Sequence, residues 1–326
     1  MTSYRVVASA PASTMLMGEH AVLFGYGALV CALTSRIYVS ATSRSDGQVV
    51  IESQLGRLAF PLTNLLQKAQ QTSVLRFVLQ ALVHCKLTQG VHLVIESDFE
   101  HTLGLGSSAA VTVATLGAME LLMKGDFNRR GVMQLGIESI KKVQGRGSGA
   151  DVAASALGGI VKFQAHPVNA HNISLPEKAW QNAPSMRLVY CGYKTPTPTV
   201  IKQVAQAAAE EPKRFEQLYE QMGTCVDASI KALNNGDWSI FAQSMGQYQG
   251  LMENLGVSDE TIQKIIQLGQ KHTTKGALFG AKISGSGLGD CVLLLGSEKL
   301  DWPHMQMPVQ IDPQGLRQET HMPSDT

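Results

Sequence analysis

An excess of either charge is missing from this chain. Its 326 residues carry 27 Lys and Arg against 26 Asp and Glu. No basic block occurs, so neither nucleic acid nor an acidic membrane surface is expected as the main partner. Long hydrophobic runs are missing too: the longest wholly apolar stretch, Ala28 to Leu33, is far too short to span a bilayer. Only Arg5 precedes a brief apolar patch near the start, which reads as no secretory signal. The five cysteines (Cys31, Cys85, Cys191, Cys225, Cys291) never stand in C-x-x-C spacing. That argues against a zinc site and for reduced core residues. No internal repeat is evident. The expectation is a cytoplasmic globular protein, and its 44% hydrophobic content supports cores of ordinary size. Anionic small substrates stay open, because one lysine in a cleft suffices for those.

What is present concentrates between Val91 and Met123. Val91, Leu93 and Ile95 alternate with His92 and Glu96, as a half-buried strand requires. Ala109 to Met123 is apolar or small on nearly every side, a helix buried all round. Between them lies Gly104-Leu105-Gly106-Ser107-Ser108. Glycines admit close approach to a ligand, and a helix start offers unpaired N–H groups and positive dipole, so this is a candidate phosphate site. A tight turn with serine caps accounts for the same residues. Neither common phosphate loop is present: GxxxxGK[ST] is absent, and Ala109 stands where GxGxxG needs its third glycine.

Along the chain, Arg5–Ala8 and Thr14–Met17 read as short strands, and Arg36–Ser43 with Val49–Ser53 as a hairpin. Leu62–Lys86 and Arg130–Gln144 read as helical, and His166–Pro184 as a connector. Helices follow, with Phe215, Leu218, Met222, Val226, Ile230 and Leu233 at helical spacing, as are Trp238, Phe241, Met245, Tyr248 and Leu251. Strands Ala277–Ser284 and Cys291–Leu295 flank a glycine turn. The expected division is an N-terminal domain over residues 1–175, a C-terminal domain over 176–312 and a loose tail over 313–326.

Two further segments support a phosphate role. Gly18-Glu19-His20 ends an apolar strand, and the adjacent pair Glu19 and His20 is a candidate for substrate binding. Gly145-Arg146-Gly147-Ser148-Gly149-Ala150-Asp151 opens a short helix, where Asp151 is either an N-cap or a functional carboxylate. The third glycine segment, Gly280 to Cys291, includes Ser286, Gly287 and Asp290.

In this order the three segments resemble the motifs of the GHMP kinases, over about residues 4 to 296. Gly18 to Leu33 is most similar to the mevalonate kinases; Gly145 to Asp151 and the Gly-Asp-Cys after the third loop are more similar to the phosphomevalonate kinases. The resemblance implies an α+β fold of two domains, the first with a left-handed βαβ unit and the second a ferredoxin-like sandwich. It implies ATP with its phosphates on Gly104, Leu105, Gly106, Ser107, Ser108 and Ala109, aided by Ser286 and Gly287. Ser108 matches a Mg²⁺ ligand and Gly285–Gly289 braces the phosphate loop. Asp151 matches the general base, with Glu19, His20, Ser148 and Lys194 on the substrate side. The implied reaction is ATP-dependent phosphorylation of the mevalonate hydroxyl. Phosphomevalonate kinase, homoserine kinase and a non-catalytic nucleotide-binding relative are the alternatives. The implied partner is a small alcohol or phosphomonoester, and a homodimer is left open.

Two positions depart from the pattern. Ser13 stands where mevalonate and phosphomevalonate kinases carry a lysine, with Arg146 and Lys194 as substitutes for the missing cation. Ile140 stands where mevalonate kinases carry a metal-binding glutamate, and Glu138 is the nearest acid.

Overall fold

The computed structural model describes residues 4–71, 75–101, 103–145 and 147–325. In chain order come β1 (Arg5–Met17), β2 (Ala28–Arg44), β3 (Gln48–Ser53), β4 (Gly56–Pro61), α1 (Leu65–Gln71), α2 (Arg76–His84) and β5 (Gly90–Ser97). Helices α3 (Ser107–Lys124), α4 (Arg129–Gln144) and α5 (Ala150–Leu157) follow, then β6 (Ile160–Ala165) and β7 (Val168–Asn172). The rest is α6 (Glu177–Gln181), β8 (Met186–Lys194), α7 (Thr197–Glu210), α8 (Pro212–Asn235), α9 (Trp238–Asn254) and α10 (Glu260–Lys271). Strands β9 (Gly280–Ser284), β10 (Gly289–Leu295), β11 (Gln306–Pro308) and β12 (Arg317–Glu319) complete it.

The chain divides into two units that interleave along the sequence. The first holds Met1–Ser13, Ala32–Gly159 and Asp312–Thr326; the second holds Thr14–Cys31 and Ile160–Ile311. A single cut near residue 175 does not describe this, because β1 and β2 each start in one unit and end in the other.

In the first unit the strands run in the order β12-β1-β2-β5-β3-β4. β5 lies between β2 and β3, so the expected hairpin of those two does not form; β3 instead pairs antiparallel with β4 and parallel with β5. β1 is one continuous strand rather than two. Its pairing with β12 covers Val7 to Ser9, and Pro11, with no N–H to give, lies beyond it. Helix α3 packs among α2, α4 and α5 and is buried on almost every side, as its uniform apolarity demands. Asn128 caps α4, its side chain accepting from the N–H groups of Arg130 and Gly131.

In the second unit a four-stranded antiparallel sheet has the order β11-β8-β10-β9. Every residue of β10 is buried, between α9 and α10 packed on β9 and β10 and the neighbouring strands. The start of β2 pairs with β6, and β6 with β7, so the polar stretch read as a connector carries a strand and the short helix α6. Residues 313–326, read as a loose tail, hold β12 and the buried Leu316 and Met322. Among the described residues no helix is long and apolar enough to cross a membrane.

Candidate functional site

Strand β5 delivers the chain to the head of α3, where Gly106 precedes the helix with φ +67° and no side chain to cap it. A Cβ on Gly106 would fall 2.2 Å from Ser13 Oγ, so only glycine fits here on two counts. The Ser13 N–H donates to Leu105 O at 3.0 Å, tying the loop to β1. The Gly106 carbonyl accepts from Ala109 and Ala110 N–H, which closes the first turn of an 18-residue helix. Such a start presents backbone N–H groups and the positive dipole end to an anion.

Ser13 also faces α5. Its Oγ donates to Asp151 Oδ1 at 2.9 Å, and the Ser155 hydroxyl donates to Pro11 O at 2.7 Å. The match is geometric: two residues along a strand and one turn of helix each advance roughly 5–7 Å. Asp151 and Ser155 on one helix face therefore meet Ser13 and Pro11 on one strand face. Ser148 accepts from Ala150 N–H at 3.2 Å, a helix-start contact. Asp151 is thus not held as a simple cap; it sits in the first turn, pointed at Ser13, which is itself 1% exposed.

Ser107 and Ser108 line an open pocket of about 240 Å³, with Leu55, Leu75, Phe77 and Phe99 among its apolar walls. Gly136 and Ile137 form the face of α4 that meets α5, while Glu138 is exposed. Among the described residues no group of three or more His, Cys, Asp or Glu side chains is arranged to hold a metal. Ser108 fits a hydroxyl ligand. Arg146 lies outside the described residues.

The second unit gathers another set. The strained turn after β1 holds Glu19 and His20, the latter at φ 61° and ψ −58°, unusual for a residue with a side chain. The His20 Nε2–H donates to Ser286 O at 2.9 Å, the carbonyl being only an acceptor. Burial holds this imidazole below its ordinary pKa. Glu19 Oε1 accepts from Lys282 Nζ at 2.5 Å, and Lys282 is fully buried. Burial pushes the Glu19 carboxyl above the usual carboxylate range against the opposing pull of Lys282, and holds Lys282 below its ordinary value. Lys282 is the residue that sequence reasoning passed over; a lysine inside an apolar strand next to a glycine turn was its only signal.

Lys194 is committed too: its Nζ lies 3.1 Å from Asp290 Oδ2. It therefore serves as half of an ion pair in its own unit rather than as an uncommitted cation. The glycines of the third loop answer to neighbours in that unit: a Cβ on Gly287 would lie 2.4 Å from Val257 O, to which Leu288 N–H donates at 2.8 Å.

The first unit's sheet with its buried α3 and the second unit's four-stranded antiparallel sheet make a two-unit α+β fold. The family described as GHMP kinases N terminal domain matches residues 65–159, GHMP kinases C terminal matches 229–301, and a galactokinase galactose-binding signature matches 2–43. The mevalonate kinase of Thermococcus onnurineus is 30% identical over 317 residues, covering 90% of each chain. That of Archaeoglobus fulgidus is 28% identical, covering 96% of this chain and 100% of its own. Among solved structures the Methanococcus jannaschii mevalonate kinase superposes with a TM-score of 0.79 at 20% identity, over 94% of this chain and 98% of that one. The chain belongs to the GHMP kinases and, within them, to the mevalonate kinase family.

Proposed function

We propose that this protein is an ATP-dependent kinase that phosphorylates the hydroxyl of mevalonate. The observation that carries the reading is that the uncapped head of α3 and the Asp151 carboxylate both converge on Ser13. A phosphate cradle and a proton acceptor are thereby fixed to one strand residue. ATP lies with its phosphates on residues Gly104 to Ala109, and its base takes the apolar pocket of Leu55, Leu75, Phe77 and Phe99. Ser286 and Gly287 are read as further nucleotide contacts, with Glu19, His20 and Ser148 contacting the acceptor.

The acceptor oxygen attacks the γ-phosphorus, its bond to ADP breaks, and the hydroxyl proton passes to Asp151. Ser13 holds Asp151 in place by donating to its Oδ1. The cation carried by ATP would be held by the Ser108 hydroxyl and phosphate oxygens, neutralising charge on the transferred group.

ADP release, measured in parallel with mevalonate, phosphomevalonate, homoserine and galactose, tests the reading. Mevalonate is expected to give the highest kcat/KM. The galactose-binding signature over residues 2–43 favours a second reading, a sugar acceptor, and puts galactose in that panel. Nucleotide binding without turnover of any acceptor would identify a non-catalytic relative.

A further inference from the structure

Lys282 takes no part in the reaction as described, yet its surroundings are built with care. It lies on β9 with its Nζ bonded to Glu19 Oε1 at 2.5 Å and donating also to Ile283 O. The face of the Tyr248 ring is 5.7 Å away, and the Tyr248 hydroxyl donates to Glu19 O at 2.7 Å. The lysine is thus surrounded inside the second unit. Glu19 is not: its Oε2 is buried and has no hydrogen-bond partner among the described residues. The same holds for Ser286 Oγ, on the residue whose carbonyl fixes His20.

A buried ion pair is a poor way to gain stability, since apolar residues of equal volume do as well or better. A buried carboxylate with one oxygen unsatisfied is poorer still. A pair that served the fold alone would have both oxygens occupied. Here one is left, and the hydroxyl of Ser286, whose carbonyl accepts from His20 in the same turn as Glu19, is in the same state.

We propose that Lys282 is a positioning residue for the acceptor: it holds Glu19 as a carboxylate with Oε1 occupied, so that Oε2 accepts a hydrogen bond from a second, non-reacting hydroxyl of the acceptor. This rests on the reading of Glu19 as an acceptor-binding residue. The chemistry selects the ligand group. An ionised carboxylate only accepts, so it takes an O–H and turns away a carboxylate or phosphate oxygen.

Few other groups titrate against Glu19. Lys282 faces it from β9 and Tyr248 from α9, while His20 follows it in the turn. Burial pushes Tyr248, together with Cys225 and Tyr219 on α8, above their ordinary values, so these stay neutral. Removing Lys282 takes away the charge that opposes burial, and Glu19 then keeps its proton to higher pH.

The test is steady-state kinetics against pH for wild type, Lys282→Met, and the double variant Lys282→Met with Glu19→Gln. Lys282→Met is expected to raise the acceptor KM about tenfold at neutral pH, with kcat and the KM for ATP within about twofold. The acidic limb of kcat/KM for the acceptor moves to higher pH, so part of the loss returns in alkaline buffer. An acceptor lacking its second hydroxyl should be poor with wild type and no poorer with Lys282→Met. The double variant, with no unpaired charge, should regain thermal stability while its acceptor KM stays high; it carries the test if Lys282→Met does not fold. An acceptor KM restored together with stability in the double variant, or an unmoved KM and pH profile in Lys282→Met, makes the pair structural and overturns the proposal. Absence of mevalonate turnover by wild type would instead sink the functional reading beneath it.

Discussion

Ser13 is the residue on which two chemistries meet. It was legible in the sequence only as a departure, a serine where a lysine is expected; the structure gives it two jobs. Its N–H and volume seat the glycine loop that opens α3, and its hydroxyl holds Asp151. Asp151→Asn keeps shape and the Ser13 contact but cannot take a proton. Turnover should fall roughly 10²–10⁴-fold with ATP affinity unchanged, as read by kcat and nucleotide titration. Unaltered kcat with a lowered melting temperature would assign Asp151 to the helix start alone. His20 offers a test by pH. Its neutral imidazole is buried, and burial holds its pKa below the ordinary value in the folded state. In the unfolded chain it takes a proton below about pH 6.5. The stability it contributes is therefore present above that pH and is lost as pH falls toward the folded value. Melting temperature should decline less steeply from about pH 7 to about pH 5 in His20→Asn, which tolerates positive φ and cannot titrate. Parallel declines in the two proteins would place the titration elsewhere.

At the scale of elements, what was local was legible. Alternation in β5, uniform apolarity in α3 and the glycines between them lie within one short stretch, and the strand–loop–helix follows from period and turn chemistry alone. The β2–β3 hairpin was misread because a turn at Ser45-Asp46-Gly47 signals reversal, not pairing; β5 takes the place beside β2 from more than forty residues away. Gly106 was legible as a place of close approach, and the structure adds a neighbour that no local pattern shows: Ser13 Oγ, which leaves no room for a Cβ. Gly106→Ala should accordingly destabilise the fold by two separable amounts. Left-handed backbone with a Cβ costs roughly 1–2 kcal/mol whatever the surroundings. The clash with Ser13 Oγ adds to it, and Ser13→Gly in the same chain should remove that second part. Denaturant midpoints of the single and double variants measure both. A Gly106→Ala cost that Ser13→Gly leaves untouched would mean the loop relaxes away from β1.

The whole molecule depends on partners that no local pattern reveals. Glu19 and Lys282 are 263 residues apart, and Arg36 and Asp312 are 276 apart. The last segment looked loose because its prolines and polar residues carry no period, yet it closes the first unit. Arg36, 2% exposed, bonds Asp312 Oδ2 at 2.5 Å, Ser9 O at 2.9 Å and Gly315 O at 2.6 Å, while Leu316 fills space beside Gly117. Asp312 Oδ1 meanwhile accepts from Gln314 and Gly315 N–H, turning the chain into β12. Asp312→Asn preserves that turn, because the amide oxygen can still accept there, and removes only the charge facing Arg36. Leaving the buried guanidinium with Glu319 Oε1, 3.9 Å from its Nε, as its remaining acidic partner should cost up to about 3–5 kcal/mol, read as a lower denaturant midpoint. Adding Arg36→Met deletes the stranded charge and should recover part of that loss, although the bonds to Ser9 and Gly315 are gone. A double variant as unstable as the sum of its parts would show that Arg36 acts through those backbone carbonyls. Recovery would show that the ion pair itself joins the end of the chain to its first strands.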